Sequence, residues 1–353
     1  MEGLPFMPQM FDYCGRRFKV YKRAHKACDT VNVEIASRRL ANAVHLETRC
    51  NGKAYGDCQA ACLIFWKEAW LRPVEERATS IEVPTDGKRL ERQAQTNGNG
   101  CSEDDIRRAT YVRGQQDADT RYMCQATQMP LFTTPLSWWD IRQYIEDYTS
   151  GNASLGEICR GFGYLSYYHL TLAKRGRLGI PARWLYDKFQ AFVGGVPYPR
   201  HRGTLAPGQP TPLADLNLQP GELVRIKPYW EILATLNGYK NRGMYFDAEM
   251  VPYCGKVYRV RTRVTKFINE TTGTMSTMKF PAVILEGVYC RSHYSNCRMF
   301  CPRSIYSWWR EAWLERVSDP PSVDMKRDAK VDEAKERLTT PTMTSVDHGG
   351  LEP

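Results

Sequence analysis

The sequence predicts an α+β protein: two small SH3-like β-barrel modules, the first incomplete at its N-terminus, flanking a helical middle segment, with a disordered C-terminal tail. Three observations carry this reading. One cysteine-containing segment occurs twice. Short apolar/polar alternations mark strands inside both occurrences. Between them lie capped segments of helical periodicity.

The repeat comes first, because a missed repeat miscasts the whole fold. Tyr13-Cys14-Gly15-Arg16-Arg17-Phe18-Lys19-Val20 recurs 240 positions later as Tyr253-Cys254-Gly255-Lys256-Val257-Tyr258-Arg259-Val260. Further on, Val44-His45-Leu46-Glu47 matches Val283-Ile284-Leu285-Glu286, and Cys50 matches Cys290. Phe65-Trp66-Lys67-Glu68-Ala69-Trp70-Leu71 matches Trp308-Trp309-Arg310-Glu311-Ala312-Trp313-Leu314. The second occurrence is preceded by Pro220–Lys227, which alternates like a strand, and by a helical spacing of Trp230, Leu233 and Leu236. The first has no counterpart, since Met1 stands two residues before Gly3. Either a start codon lies upstream or another segment covers the open edge, which unpaired strands require.

The first module is expected over residues 1–81, with Phe18 and Val20 alternating against Arg17 and Lys19, a strand at Ala43–Leu46, and a short helix or turn at Leu63–Leu71. Residues 82–135 read as linker or irregular structure, most clearly the polar run Val83–Gly100. Residues 136–195 read as helical. Ser137 is placed as the cap of a helix with a buried stripe of Trp138, Ile141, Ile145 and Tyr148, ended by Ser150-Gly151. Ser154 and Glu157 form a capping box before a stripe of Leu155, Ile158, Cys159 and Phe162, which makes Cys159 a core residue. Pro181 suits a first helical position and Gly194-Gly195 a helix end. Residues 196–215 form a Pro/Gly connector, 216–317 the second module, and 318–353 a charged tail.

Charge is uneven. The chain carries net +10, and Gly151–Leu205 holds eight Lys/Arg against two Asp/Glu together with nine aromatic residues. Such a segment suits a protein partner or a peripheral membrane surface, and, as a lesser alternative, single-stranded nucleic acid. No run of apolar residues is long enough for a transmembrane helix, and Met1–Met10 lacks a basic signal-peptide start. A cytoplasmic location, with membrane association as a variant, follows as the expectation.

Twelve cysteines in a reducing compartment point to metal ligands or buried thiols rather than disulfides. In the first module Cys50, Cys58, Cys62 and Cys14 are the candidate ligands, with Cys124 as an alternative fourth. Cys58 and Cys62, four apart, would share one face of a helical turn. Four thiolates suit tetrahedral zinc or an iron–sulfur cluster. Cys254, Cys290, Cys297 and Cys301 form a second, less complete set. Counting back from the tryptophans without a gap matches Cys58 to Cys301 and Cys62 to Ile305, leaving Cys297 without a partner thiol. Buried, unligated cysteine is the plain alternative throughout. His45, in a strand, and His293, near Cys290, read as structural histidines. Phosphate-binding loops, HExxH zinc motifs and nucleophile elbows are absent from the sequence.

The motifs at Tyr13-Cys14-Gly15, Cys58-Gln59-Ala60-Ala61-Cys62, Trp66–Leu71, Phe300-Cys301-Pro302-Arg303 and Trp309–Leu314 resemble those of a bacterial family with duplicated modules. That family is associated with gene clusters for polysaccharide and other specialised biosynthesis. The resemblance covers most of residues 1–317 and implies a cytosolic accessory protein without an assigned reaction. Relatives carry a histidine where this chain has Tyr55, and they begin earlier. The leading expectation is therefore an accessory or binding protein with a Cys-ligated metal serving a biosynthetic assembly. The alternatives are an iron–sulfur redox or zinc enzyme of the same pathway and a nucleic-acid-binding protein.

Overall fold

The computed structural model describes residues 2–32, 36–74, 102–116, 119–173 and 179–317; the polar run at 83–100, Cys101 and the tail from 318 lie outside the described residues. A 3-10 helix over Pro8–Tyr13 leads into β1 (Val20–Arg23), β2 (Lys26–Cys28), β3 (Ser37–Arg39), β4 (Ala43–Arg49) and β5 (Leu63–Lys67). β4 is the centre of an antiparallel β1-β4-β5 sheet. Val44, Leu46, Ile64 and Trp66 face a core with Met7, Met10 and Tyr55. Ala43 and Phe65 face another with Leu4, Ala24, Met129 and Phe132. The expected helix or turn at Leu63–Leu71 is thus a strand with one 3-10 turn, Glu68–Trp70, after it. Every residue of β5 is buried; a continuous apolar run is what a strand covered on both faces looks like.

α1 (Glu103–Arg108), β6 (Tyr111–Val112), β7 (Arg121–Tyr122) and α2 (Met129–Phe132) precede β8 (Thr134–Leu136), which joins β2 and β3 in a second sheet. Then come α3 (Arg142–Thr149), α4 (Leu155–Ala173) and α5 (Gly179–Val193). The Ser154–Glu157 capping box forms as expected. The first predicted stripe does not pack inward, and the second does so only through Ile158 and Phe162. Trp138, Ile141, Ile145 and Tyr148 are all exposed, and Gln143, Tyr144 and Asp147 are the buried residues of α3. The cause is Lys26, buried in β2, which donates to Asp147 Oδ2 at 2.5 Å and to Met299 O at 2.8 Å. His25 Nε2 lies 3.2 Å from the other Asp147 oxygen. A buried ammonium without a carboxylate is prohibitively costly, so the polar face of α3 turns inward and its apolar stripe turns out. Cys159 is likewise exposed, because α4 buries Leu165 and packs Ile158 and Phe162 instead.

The C-terminal part contains β9 (Leu223–Ile226), α6 (Tyr229–Leu233), β10 (Lys240–Asn241), β11 (Met244–Tyr245), β12 (Val257–Ile268), β13 (Met275–Tyr289), β14 (Tyr306–Trp309) and β15 (Leu314–Arg316). Five strands form one antiparallel sheet in the order β14-β13-β12-β9-β15. Its core includes Trp309 and Trp313, both fully buried, with Trp313 Nε1 donating to Thr235 Oγ1 at 2.9 Å. The protein is of the α+β class. Among the described residues no sheet closes into a barrel, since β14 and β15 are edges.

Local geometry agrees between the two halves. Pro8–Tyr13 and Ala248–Tyr253 are both 3-10 helices, and the Cys14 and Cys254 N–H groups each donate back three residues at 3.1 Å. Val20 pairs Leu46 as Val260 pairs Leu285, each followed by a bulge. Val44 pairs Trp66 as Val283 pairs Trp309. Cys50 N–H donates to Cys62 O as Cys290 N–H donates to Ile305 O, which is the ungapped register. Among the described residues the first sheet has no strand in the place of β9; the edge of β1 is met by the Asn152 side chain, which bonds both main-chain groups of Arg23 at 2.9 and 2.7 Å.

Candidate metal centre

Cys50 directly follows β4, and the loop after it folds back on itself. Tyr55 and Asp57 N–H groups donate to Gly52 O, and Cys58 N–H donates to Tyr55 O. Gly52 has φ +72°, and a Cβ there would lie 2.0 Å from the Cys58 carbonyl oxygen. Only glycine fits. We expect Gly52→Ala to destabilise the protein by about 2 kcal/mol or more, from the forbidden backbone and the clash, read as the midpoint shift in urea unfolding; an unchanged midpoint would show that the loop can open. Cys58 and Cys62 do not share a helical turn. Asp57 and Ala61 have φ of 58° and 50°, which kink the segment, and Cys50 N–H donates to Cys62 O at 2.8 Å, closing the loop.

Cys124 arrives from a distant segment. Its position is set by the next residue: the Gln125 amide accepts from Phe65 N–H at 2.8 Å and donates to Phe65 O at 2.9 Å, pairing with β5 as a strand would. The tip of the long β12–β13 hairpin supplies a further wall, with Gln59 N–H bonded to Lys266 O and Ile268 packed into the first core.

The result is a small cavity of about 40 Å³ onto which Cys50, Cys58, Cys62 and Cys124 all face. Its other walls are mainly apolar, including Met7, Tyr55, Phe65 and Ile268, with Arg303 at one side. Donors point at the sulfurs: Gln9 Nε2 lies 3.2 Å from Cys50 Sγ, and Ile268 N–H 3.4 Å from Cys58 Sγ. Burial pushes the Cys50 thiol up to about 12, and raises Cys62 and Cys124 as well. Without a cation these three are neutral thiols; a bound metal reverses that preference by stabilising the thiolates directly. The Arg303 guanidinium donates to Cys28 O at 2.9 Å and to Glu270 Oε1 at 3.0 Å.

The remaining expected ligands are elsewhere. Cys14 is exposed, with its sulfur 3.6 Å from Met10 O, and does not reach the cavity. The alternative fourth residue, Cys124, does. The second set is not brought together. Cys254 lies against Met250 O, Cys290 against Ser292 Oγ, and Cys297 on an open cleft. Cys301 is buried and accepts from the Cys28 N–H at 3.0 Å. Against the effect of burial, the hydrogen bond from the Cys28 thiol and the proximity of Arg303 hold the Cys301 thiol down, whereas Cys28 is raised. Among the described residues, no three His, Cys, Asp or Glu side chains close on a point that could hold a single metal ion. His45 is buried and neutral: its Nδ1–H donates to Ile64 O at 2.9 Å, and burial lowers its pKa to about 3.

Sequence reasoning missed Gln9, Gln125 and Arg303. Gln125 follows Cys124 directly and could have been weighed with it; Arg303 stands in the Phe300–Arg303 motif, but nothing in that motif ties it to the first module's cysteines. It also missed Glu249, a buried carboxylate that accepts from His293 N–H at 3.0 Å and Tyr294 N–H at 2.5 Å. Burial raises its pKa from 4.5 to about 7, with the Asp247 charge adding to that effect. The folded state therefore holds this proton more tightly than the unfolded chain. Its contribution to stability is complete below about pH 4.5 and is lost as pH rises through about 7. Glu249→Gln should remove that part of the pH dependence, a slope of at most about 1.4 kcal/mol per unit. Denaturant melts at pH 5 and pH 7.5 (roughly the two sides of this window) check it; an unaltered slope in the variant contradicts it.

The chain matches no protein-family model and no curated protein.

Proposed function

We propose that this is an accessory or binding protein built from two SH3-like modules, the first carrying a metal held by Cys50, Cys58, Cys62 and Cys124. One observation carries the proposal: thiols from three separated points of the chain, two of them in a loop that only Gly52 permits, face one small, mainly apolar cavity. The duplicated-module reading is supported by the strand order β14-β13-β12-β9-β15, with a 3-10 helix between the last two strands in sequence, and by the equivalent pairings in the first sheet. The donor set fits zinc and iron–sulfur centres alike. An iron–sulfur cluster is favoured, because thiols spread around a cavity without converging on one point can each bind a different iron atom. Such a cluster would supply a redox or structural centre. The protein's part is to present four sulfurs, aim N–H groups at them, exclude water and place Arg303 beside the negative charge.

The resemblance to the biosynthetic-cluster family makes a role in such an assembly the reading we adopt. The outward apolar stripe of α5, with Ile180, Trp184, Leu185, Phe189 and Phe192 exposed, supports a docking face for a protein partner or a membrane surface. No helix among the described residues is long and apolar enough to cross a membrane.

The test is metal and sulfide analysis of anaerobically purified protein with an absorption spectrum. We expect iron with acid-labile sulfide and a brown colour near 400 nm (the approximate position of thiolate-to-iron absorption). A colourless protein with stoichiometric zinc would replace the cluster by zinc, and protein with neither metal overturns the site.

A further inference from the structure

We propose that the cleft between the Trp138-Trp139 turn and the 293–298 loop binds a phosphorylated ring compound of about mononucleotide size. This goes beyond the metal-centre reading and does not depend on it. The cleft has a volume of about 770 Å³, inside the roughly 300–1,000 Å³ usual for small-molecule sites. Its chemistry is two-sided. Trp138, Trp139 and Tyr245 line it, and these residues are 45%, 69% and 42% exposed. Exposed tryptophans of this kind stack on flat or chair-shaped rings, while Tyr245 also packs on Tyr239.

Arg200 and Arg298 line the same cleft. Arg200 is held in place: it donates to Tyr294 O at 2.7 Å, and its guanidinium lies 5.0 Å from the centre of the Tyr168 ring. Its Nε is buried behind the cleft wall, so the guanidinium meets the cleft through its terminal nitrogens. The Arg298 side chain makes no hydrogen bond or ion pair among the described residues. Arg298, with its donors uncommitted, and the positive charge of Arg200 beside it match a phosphate dianion, which arginine recognises in forked geometry. Asp247, the carboxylate on the cleft wall, already accepts from Glu249 N–H through one oxygen.

The wall is also rigid. Glu249 anchors the backbone at His293 and Tyr294, and its carboxylate accepts from Ser295 Oγ at 3.3 Å. Arg200 ties the same loop to α4 through Tyr168. A preorganised wall with unused donors is how a site differs from a surface dent.

The test is calorimetry of the full chain with uridine monophosphate and glucose 1-phosphate, alongside uridine, inorganic phosphate and glucuronate. We expect at least one phosphorylated ring to bind about tenfold or more tighter than uridine, phosphate and glucuronate, a difference of roughly 1.4 kcal/mol. Arg298→Gln and Trp139→Leu should each weaken it about tenfold without shifting the melting temperature. Inorganic phosphate binding as tightly as the phosphorylated rings would reduce the cleft to a simple anion site and overturn the proposal. Tighter glucuronate binding, no binding of either phosphorylated ring at millimolar concentration, or unchanged affinity in both variants would overturn it too.

Discussion

Replacing Asp147 with Ala will destabilise the protein by about 3–5 kcal/mol, because it strands the Lys26 ammonium in the interior. Lys26 and Asp147 are essentially inaccessible, with 2% and 0% of their side chains exposed. The remaining acceptors, Met299 O and Gln143 Oε1, carry no formal charge. Burial already lowers the pKa of Lys26 even with Asp147 present; without the carboxylate the amine would have to lose its proton or drag water inward. The double change Lys26→Met with Asp147→Leu should recover most of the loss, since apolar side chains of similar volume replace buried ion pairs at little cost. Urea unfolding of the three proteins decides the matter. A single variant within about 1 kcal/mol of the parent would mean that the site is hydrated and that another force orients α3.

The second large effect concerns the thiols. Cys58→Ser, Cys62→Ser and Cys124→Ser should each remove most of the bound metal, and Cys14→Ser should leave it. Cys254→Ser and Cys297→Ser should behave like Cys14→Ser, because neither residue approaches the cavity. Serine is nearly isosteric but a far weaker ligand, so metal content separates ligation from packing. Loss should carry a stability cost, since metal bound only by the folded form adds its binding free energy to folding. Retention by Cys124→Ser together with loss from Cys14→Ser would reverse the ligand assignment. Because burial favours the protonated thiols of Cys50, Cys62 and Cys124 in the absence of a cation, metal uptake must release protons and should weaken as pH falls.

Much of this arrangement was legible in the chain. Period-two alternation located β9, the strand expected at Ala43–Leu46 is β4, the Ser154–Glu157 spacing located the start of α4, and the tryptophan repeat gave the register that places Cys62 opposite Ile305. What failed was facing. Trp138, Ile141, Ile145 and Tyr148 have the spacing of a buried stripe, yet the helix is rotated by one buried ion pair whose members are 121 residues apart. No local pattern encodes such a pairing. Cysteine spacing failed for a related reason. The i, i+4 spacing of Cys58 and Cys62 implies a helical turn only if the backbone stays right-handed, and Asp57 and Ala61 do not. Cys124 could be named as a candidate but not placed, because its position depends on Gln125 bonding to Phe65 across 60 residues.

The most direct test of the thiol-bound centre is X-ray absorption at the edge of whatever metal the anaerobically isolated protein retains. The proposal requires a first shell made of sulfur alone, at about 2.3 Å, with a metal–metal distance in addition if the centre is a cluster. A shell of nitrogen and oxygen, or a retained metal whose sulfur neighbours persist when Cys50, Cys58, Cys62 and Cys124 are all serine, would place the metal elsewhere and leave the cavity a packed cluster of thiols.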